Sequence, residues 1–204
     1  MTFESFVVSA GSADAFSAAV AVAQGRADAP ARLFLVGPTG AGKSHLLGAI
    51  EREMLRRRPE ANVLRDTSHA ISRRLTSALR NDSAWAIERS FAALDALLID
   101  DFREPPATTE WFMGRIEKLS GVAVVVATDV LPPQLPAGAV VVRLGYPDER
   151  ARVEIARREA ARRRLMISEA TLRQMAFRCS GNPRELQSAI ARLAAEAAIL
   201  RYAS

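Results

Sequence analysis

Apolar positions along the chain follow two rhythms. From Phe16 they recur at helical spacing through Ala19, Val20 and Ala23. Ser12 stands where an N-cap would, and Gly25 closes the run. Leu33 to Val36 is instead an unbroken apolar stretch, the mark of a short buried strand. The helical period returns from Lys43 to Arg57, with Leu46, Leu47, Ile50 and Met54 on one face. Asn62 to Leu64 is a weaker strand. Asp66 is placed to cap a helix carrying Ile71, Leu75, Ala78 and Leu79, and a further helix is expected around Trp85 to Ala92. "LDALLIDD" reads as a strand ending in two carboxylates. Thr109 is placed to cap "EWFMGRIEKL", whose Phe112, Ile116 and Leu119 face inward. "GVAVVVATD" and "AVVVRL" are two more strands, separated by the proline-rich loop "LPPQLPAG".

Strands alternating with helices predict an α/β fold, a three-layer arrangement with a parallel sheet between helices. The alternation stops at "GYPDER". From Glu149 onward only helices are readable, joined by "MIS" and "CSGNP". A sheet core over residues 1–146 and a small helical lid subdomain over 147–204 are therefore expected.

The turn after the first strand carries chemistry. Gly37, Pro38, Thr39, Gly40, Ala41, Gly42, Lys43 and Ser44 satisfy the phosphate-loop pattern of P-loop NTPases. Glycines let backbone N–H groups turn inward around phosphate oxygens, and the helix that follows points its positive end at the same anion. Lys43 would reach the β- and γ-phosphates of a nucleotide, and Ser44 would ligate magnesium. Such a loop predicts an acidic strand end nearby, which "ALLIDD" supplies: Asp100 for the metal, Asp101 to orient an attacking water. The strand end "VVVATD" adds Thr128 and Asp129, which can sense a γ-phosphate; an ordinary strand-ending turn would read the same way. In "GNPREL", Asn182 reads as an N-cap, Pro183 as the first helical residue and Glu185 as the closing member of a capping box. Arg184 then projects from a helix start, where it can clamp a nucleotide or simply face water.

Composition alters this picture little. Apolar residues make up 49% of the 204, enough for a full core, and the single cysteine, Cys179, leaves no internal disulfide. The opening residues lack a basic segment before a long apolar run, no stretch is long enough to span a bilayer, and a cytoplasmic location is expected. His45 and His69 are isolated, so no zinc site is expected. A net charge of +5 permits an acidic partner. The arginine run "RREAARRR" invites a DNA reading, but Glu154 and Glu159 interleave with it, which fits a solvated helix face.

Phosphate loop, acidic strand, polar strand end and lid arginine occur in an order that resembles the DnaA family of AAA+ ATPases. "FESFVVSAGSADAFSAAVAVA" is similar to the family's opening segment, which lies by the adenine. "LFLVGPTGAGKSHLLGAI" resembles its loop and helix, including His45 after the serine. "LDALLIDDF", "EWFMGRIEKL", "ATDVLPPQLP" and "GNPRELQSAI" resemble its acidic strand, the helix after it, the next strand and loop, and its lid signature. The resemblance implies ATP or ADP with Mg2+ as ligand, Lys43 and Ser44 at phosphate and metal, Asp100 and Asp101 at metal and water, Thr128 and Asp129 at the first sensor, and Arg184 at the second. It also implies that residues 66–92 lie where initiators contact single-stranded DNA, making Arg73, Arg74 and Arg80 candidates; a solvated basic face is the plainer alternative.

Two departures limit the implication. Initiators carry a helix with an arginine finger between the proline loop and the last strand, whereas no arginine occurs here between Arg115 and Arg143. Without a finger a subunit cannot complete its neighbour's site, and turnover should be weak. The helix-turn-helix domain that follows the lid in initiators has no counterpart in these residues, so a stand-alone regulator and a piece of a longer initiator are both open. The expectation is an ATP–magnesium switch in bacterial replication initiation with weak ATPase activity, docking on an initiator or another AAA+ protein. A nucleotide-binding adaptor of the helicase-loader kind, without useful hydrolysis, is the alternative.

Overall fold

A computed structural model describes residues 1–80, 89–103, 106–179 and 182–202; the side chains of 75–80, 106–108 and 197–202 lie outside the description. Thus the side chains of Leu75, Ala78, Leu79 and Arg80 and the expected helix at Trp85 fall outside it, although 89–92 are helical.

Five strands form one parallel sheet: β1 (Arg32–Val36), β2 (Val63–Thr67), β3 (Ala96–Asp100), β4 (Ala123–Thr128) and β5 (Ala139–Arg143). Their order is β2-β3-β4-β1-β5. The apolar runs are strands because both faces are covered, so no polar alternation is needed. Along β1, Leu33 and Leu35 point to one face while Phe34 and Val36 point to the other, and all four are buried. Phe34 and Val36 join Leu97, Ile99, Val124 and Val126 in a cluster closed by Ile71, Phe112 and Ile116. These last come from α3 (Ser68–Arg80) and α4 (Pro106–Lys118). Helix α2 (Lys43–Arg57) packs against β2, β3 and β4 through the buried Leu46, Leu47 and Ile50. Each such side chain removed from water contributes about 1.5–3 kcal/mol.

Three helix starts differ from expectation. Before α1 (Ala13–Gln24) the chain makes a short 3₁₀ turn, Ala10–Ser12, and Ser12 Oγ accepts the Ser9 N–H at 3.0 Å instead of capping α1. Thr67, not Asp66, caps α3: its Oγ1 accepts the Ala70 N–H at 3.2 Å. Asp66 sits in the strand and pairs with Arg74 at 2.9 Å. Helix α4 starts at Pro106, where a missing N–H costs nothing, so Thr109 lies buried inside it.

The described chain forms two compact units. The first comprises Met1–Phe6, Asp14–Gly37 and Gly42–Leu144, and holds the sheet. The second comprises Val7–Ala13, Pro38–Ala41 and Gly145–Ser204. Its core is Ala156, Ala160, Leu172, Leu186 and Ile190, from α5 (Glu149–Arg162), α6 (Glu169–Arg178) and α7 (Pro183–Tyr202). Small alanines on α5 allow α6 and α7 to pack on it.

Candidate functional site

Register brings the strand ends together. Val36 pairs with Thr128, and Thr67 with Asp100, so β1, β3 and β4 present their carboxyl ends along one edge. The pairing continues past the strands: the Gly37 N–H donates to the Thr128 carbonyl at 3.1 Å, and the Phe102 N–H to the Ala127 carbonyl at 2.8 Å. At Gly37 a β-carbon would lie 2.3 Å from the Leu144 carbonyl oxygen, so only glycine passes there. Gly42 is the N-cap of α2, with φ 106°, and the helix opens directly with Lys43.

Lys43 is buried, and its Nζ donates to the Gly37 carbonyl at 2.5 Å and to Asp129 Oδ1 at 2.7 Å. Ser44 Oγ donates to Asp100 Oδ1 at 3.0 Å. A hydroxyl and a carboxylate converging at the edge of a phosphate loop are the hard oxygen donors that magnesium takes. Among the described residues, no group of three or more His, Cys, Asp or Glu could hold a metal. Asp101 follows the strand with φ 50° and is exposed, its N–H donating to Asp100 Oδ1 at 3.0 Å.

The other expected site residues are placed as follows. Thr128 is buried and its hydroxyl is turned to backbone, lying 2.9 Å from the Phe102 carbonyl and 2.7 Å from that of Val130. Asp129 is therefore the strand-end group that reaches Lys43. His45 faces the N-terminal segment. Its Nε2 lies 2.9 Å from the Thr2 carbonyl and 3.0 Å from Ser5 Oγ, and Phe6 packs edge-on at 5.3 Å. Because a carbonyl only accepts, Nε2 carries the proton. Burial holds the ring's pKa below its ordinary value of 6.5.

Pro38, Thr39, Gly40 and Ala41 belong to the second unit, where Ala41 donates its N–H to the Pro38 carbonyl at 3.1 Å. Gly40 has φ 91°, and a β-carbon there would lie 2.2 Å from Asn182 Oδ1. The same oxygen accepts the Arg184 N–H at 2.9 Å, so Asn182 caps α7 and lies against the loop at once. Arg184 is exposed in the first turn of α7. Among the candidate DNA contacts, Arg73 and Arg74 are exposed, and Arg74 is engaged by Asp66.

One residue escaped the sequence reading. Arg103 Nε donates to Asp101 Oδ1 at 2.8 Å, and its terminal amine bonds to Asp129 Oδ2. Its signal was a basic side chain two positions beyond an acidic strand end, which no general motif marks.

Sheet order, phosphate loop, acidic strand end and helical second unit define a P-loop AAA+ nucleotide-binding module. Residues 1–137 match the model of the bacterial DnaA ATPase domain. The chromosomal replication initiator protein DnaA of Enterococcus faecalis is 31% identical over 213 residues, covering 97% of this chain and 48% of that protein. Domain III of the Thermotoga maritima replication initiation protein DnaA superposes with a TM-score of 0.81 at 29% identity, over 93% of this chain and 85% of that one. A replication initiator DnaA bound to AMPPCP and single-stranded DNA superposes with a TM-score of 0.79 at 20% identity, over 94% and 64% of the two chains, a likeness of fold. The chain belongs to the DnaA family of AAA+ ATPase modules. It spans about half the length of the curated relatives it matches.

Proposed function

We propose that the chain binds ATP with magnesium and acts as a nucleotide switch in replication initiation. The observation that carries this reading is the Lys43–Ser44 pair at the start of α2, facing Asp129 and Asp100. A lysine amine held at the loop's mouth can exchange its Asp129 contact for phosphate oxygens. Ser44 and Asp100 would hold magnesium, which supplies charge neutralisation at the β- and γ-phosphates. Asp101, exposed beside Asp100, can orient a water, while Arg184 at the start of α7 would report the nucleotide to the helical unit. A DnaA relative bound to AMPPCP supports the ligand class.

Docking on an initiator or other AAA+ protein, and a cytoplasmic location, belong to the same proposal and are supported by the likeness to DnaA proteins. Contact with single-stranded DNA is supported by a relative that binds it, and Arg73 and Arg74, the latter paired with Asp66, are the candidates that the described structure shows exposed.

Equilibrium binding of a fluorescent ATP analogue, with and without magnesium, tests the reading. Tight binding that needs magnesium and is lost in Lys43→Ala is expected. Equal affinity in Lys43→Ala would end the proposal for this site. Nucleotide binding without any turnover, alone or with an initiator, would leave an adaptor in place of an ATPase.

A further inference from the structure

Arg103 is a cation beside the acidic strand end that the phosphate-loop reading does not use. It bridges two carboxylates, Asp101 and Asp129, which come from the ends of different strands. Asp129 in turn holds Lys43 through its other oxygen, at 2.7 Å. The three groups thus form a line, Lys43 to Asp129 to Arg103, with Asp101 at its far end. The Lys43 side chain is 9% exposed and that of Asp129 25%, so this pair lies where water screens it less than a surface pair. Arg103 is 58% exposed and can turn without disturbing the core.

Nucleotide binding on the reading above requires Lys43 to leave Asp129 for phosphate oxygens. That exchange strips a cation from Asp129 and brings several negative charges beside it. The carboxylate would then repel the phosphates and draw the amine back. We propose that Arg103 is a positioning residue that takes over Asp129, releasing Lys43 for the phosphates, and at the same time fixes the orientation of Asp101. Its forked guanidinium suits this: Nε serves Asp101 and a terminal nitrogen serves Asp129, whereas a lysine would have to reach both carboxylates from a single nitrogen. The proposal rests on the ATP-binding reading and adds a residue to it.

The test measures ATP affinity and turnover in the full chain for the wild type, Arg103→Gln, Arg103→Lys, Asp129→Asn and the double variant Arg103→Gln/Asp129→Asn. Arg103→Gln should bind ATP about tenfold more weakly or worse, the scale of one lost charge-assisted hydrogen bond. Arg103→Lys should fall between. Arg103→Gln should cost less than about threefold when it is measured against Asp129→Asn, because the neutral amide at position 129 no longer competes for Lys43; an equal loss in both backgrounds is what two independent sites would give. A purely structural arginine, or one that merely attracts phosphate, gives the same loss in both backgrounds, and that result overturns the proposal. So does wild-type affinity in Arg103→Gln. A wild type that binds no ATP brings down the ATP reading, and this inference with it; binding by the wild type with no effect of Arg103 brings down this inference alone. Thermal melting of each variant separates loss of fold from loss of the exchange.

Discussion

At the scale of single residues, the loop was legible because the phosphate-loop pattern fixes the spacing of its glycines, lysine and serine. Glycine is required at Gly37 by the Leu144 backbone carbonyl and at Gly40 by a φ of 91°, and the lysine–serine pair opens the helix. What was not legible is where side chains turn. Thr128 satisfies backbone around its own turn, and His45 anchors Thr2 and Ser5. Both follow from three-dimensional neighbours that spacing does not encode. The His45 contact leads to a pH prediction. Burial, the largest cause, lowers the ring's pKa from 6.5; the Met1 ammonium pushes the same way, and the hydrogen bond to Thr2 opposes them. The neutral ring is thus favoured in the folded state. Its contribution to stability is complete above pH 6.5 and is lost as pH falls from there through the lowered folded pKa. Chemical denaturation between pH ~7.5 and about 5 should show this loss, and His45→Gln should flatten it. An NMR titration placing the His45 ring at or above 6.5 would refute the argument.

At the scale of elements, the periodic segments were legible, as was the start of α7 at Asn182 and Pro183, whereas the starts of α1, α3 and α4 were not. Strands β1, β3 and β4 are continuous apolar runs that two covered faces demand, whereas an N-cap is a local contest among adjacent polar residues. Thr67 won that contest over Asp66 because Asp66 is held by Arg74 and by the Thr67 N–H. The arginine run of α5 shows the same limit in reverse. Arg157 and Arg158 pair with Glu154, Arg157 also with Glu169, and Arg162 and Arg163 with Glu159. Hydrogen bonding from Arg162 above all holds the Glu159 carboxyl below its ordinary range. The run is a laced helix face, as its interleaved glutamates suggested. A less visible device joins β1 to α4. Arg32 donates to the Glu117 carbonyl at 2.8 Å and to those of Ile116 and Leu119 at 3.4 and 3.3 Å. The last carbonyls of a helix lack intrahelical partners, and a cation suits that end of the dipole. Arg32→Met keeps much of the apolar stem and removes the donors. It should cost about 1.5–3 kcal/mol in urea unfolding, with Arg32→Lys recovering part; a loss under about 0.5 kcal/mol would show that water replaces the arginine.

At the scale of the whole molecule, the order of motifs revealed the class, but the interleaving of the chain did not show. Val7–Ala13 and Pro38–Ala41 join the helical unit, far from it in sequence, because Gly11 meets Gly145 and Gly40 meets Asn182. Close approaches at glycine of this kind carry no side-chain pattern to read. The remaining question is turnover. In-line phosphoryl transfer spreads negative charge over the γ-phosphate, and an arginine supplied to that charge is worth about 10³–10⁵ in rate. The segment from Ile116 to Val142 contains no arginine, and Arg143 is the exposed last residue of β5. Arg103, on the reading above, acts on carboxylates instead of phosphate. A solution of this chain alone should therefore hydrolyse ATP slowly, with a rate per molecule that does not rise with protein concentration. Mixing it with a replication initiator that carries a finger should raise the rate by orders of magnitude, and substitution of that finger should abolish the gain. Turnover that climbs steeply with the concentration of this chain alone would mean that a second copy supplies an arginine, and Arg143→Ala would then be the first variant to measure.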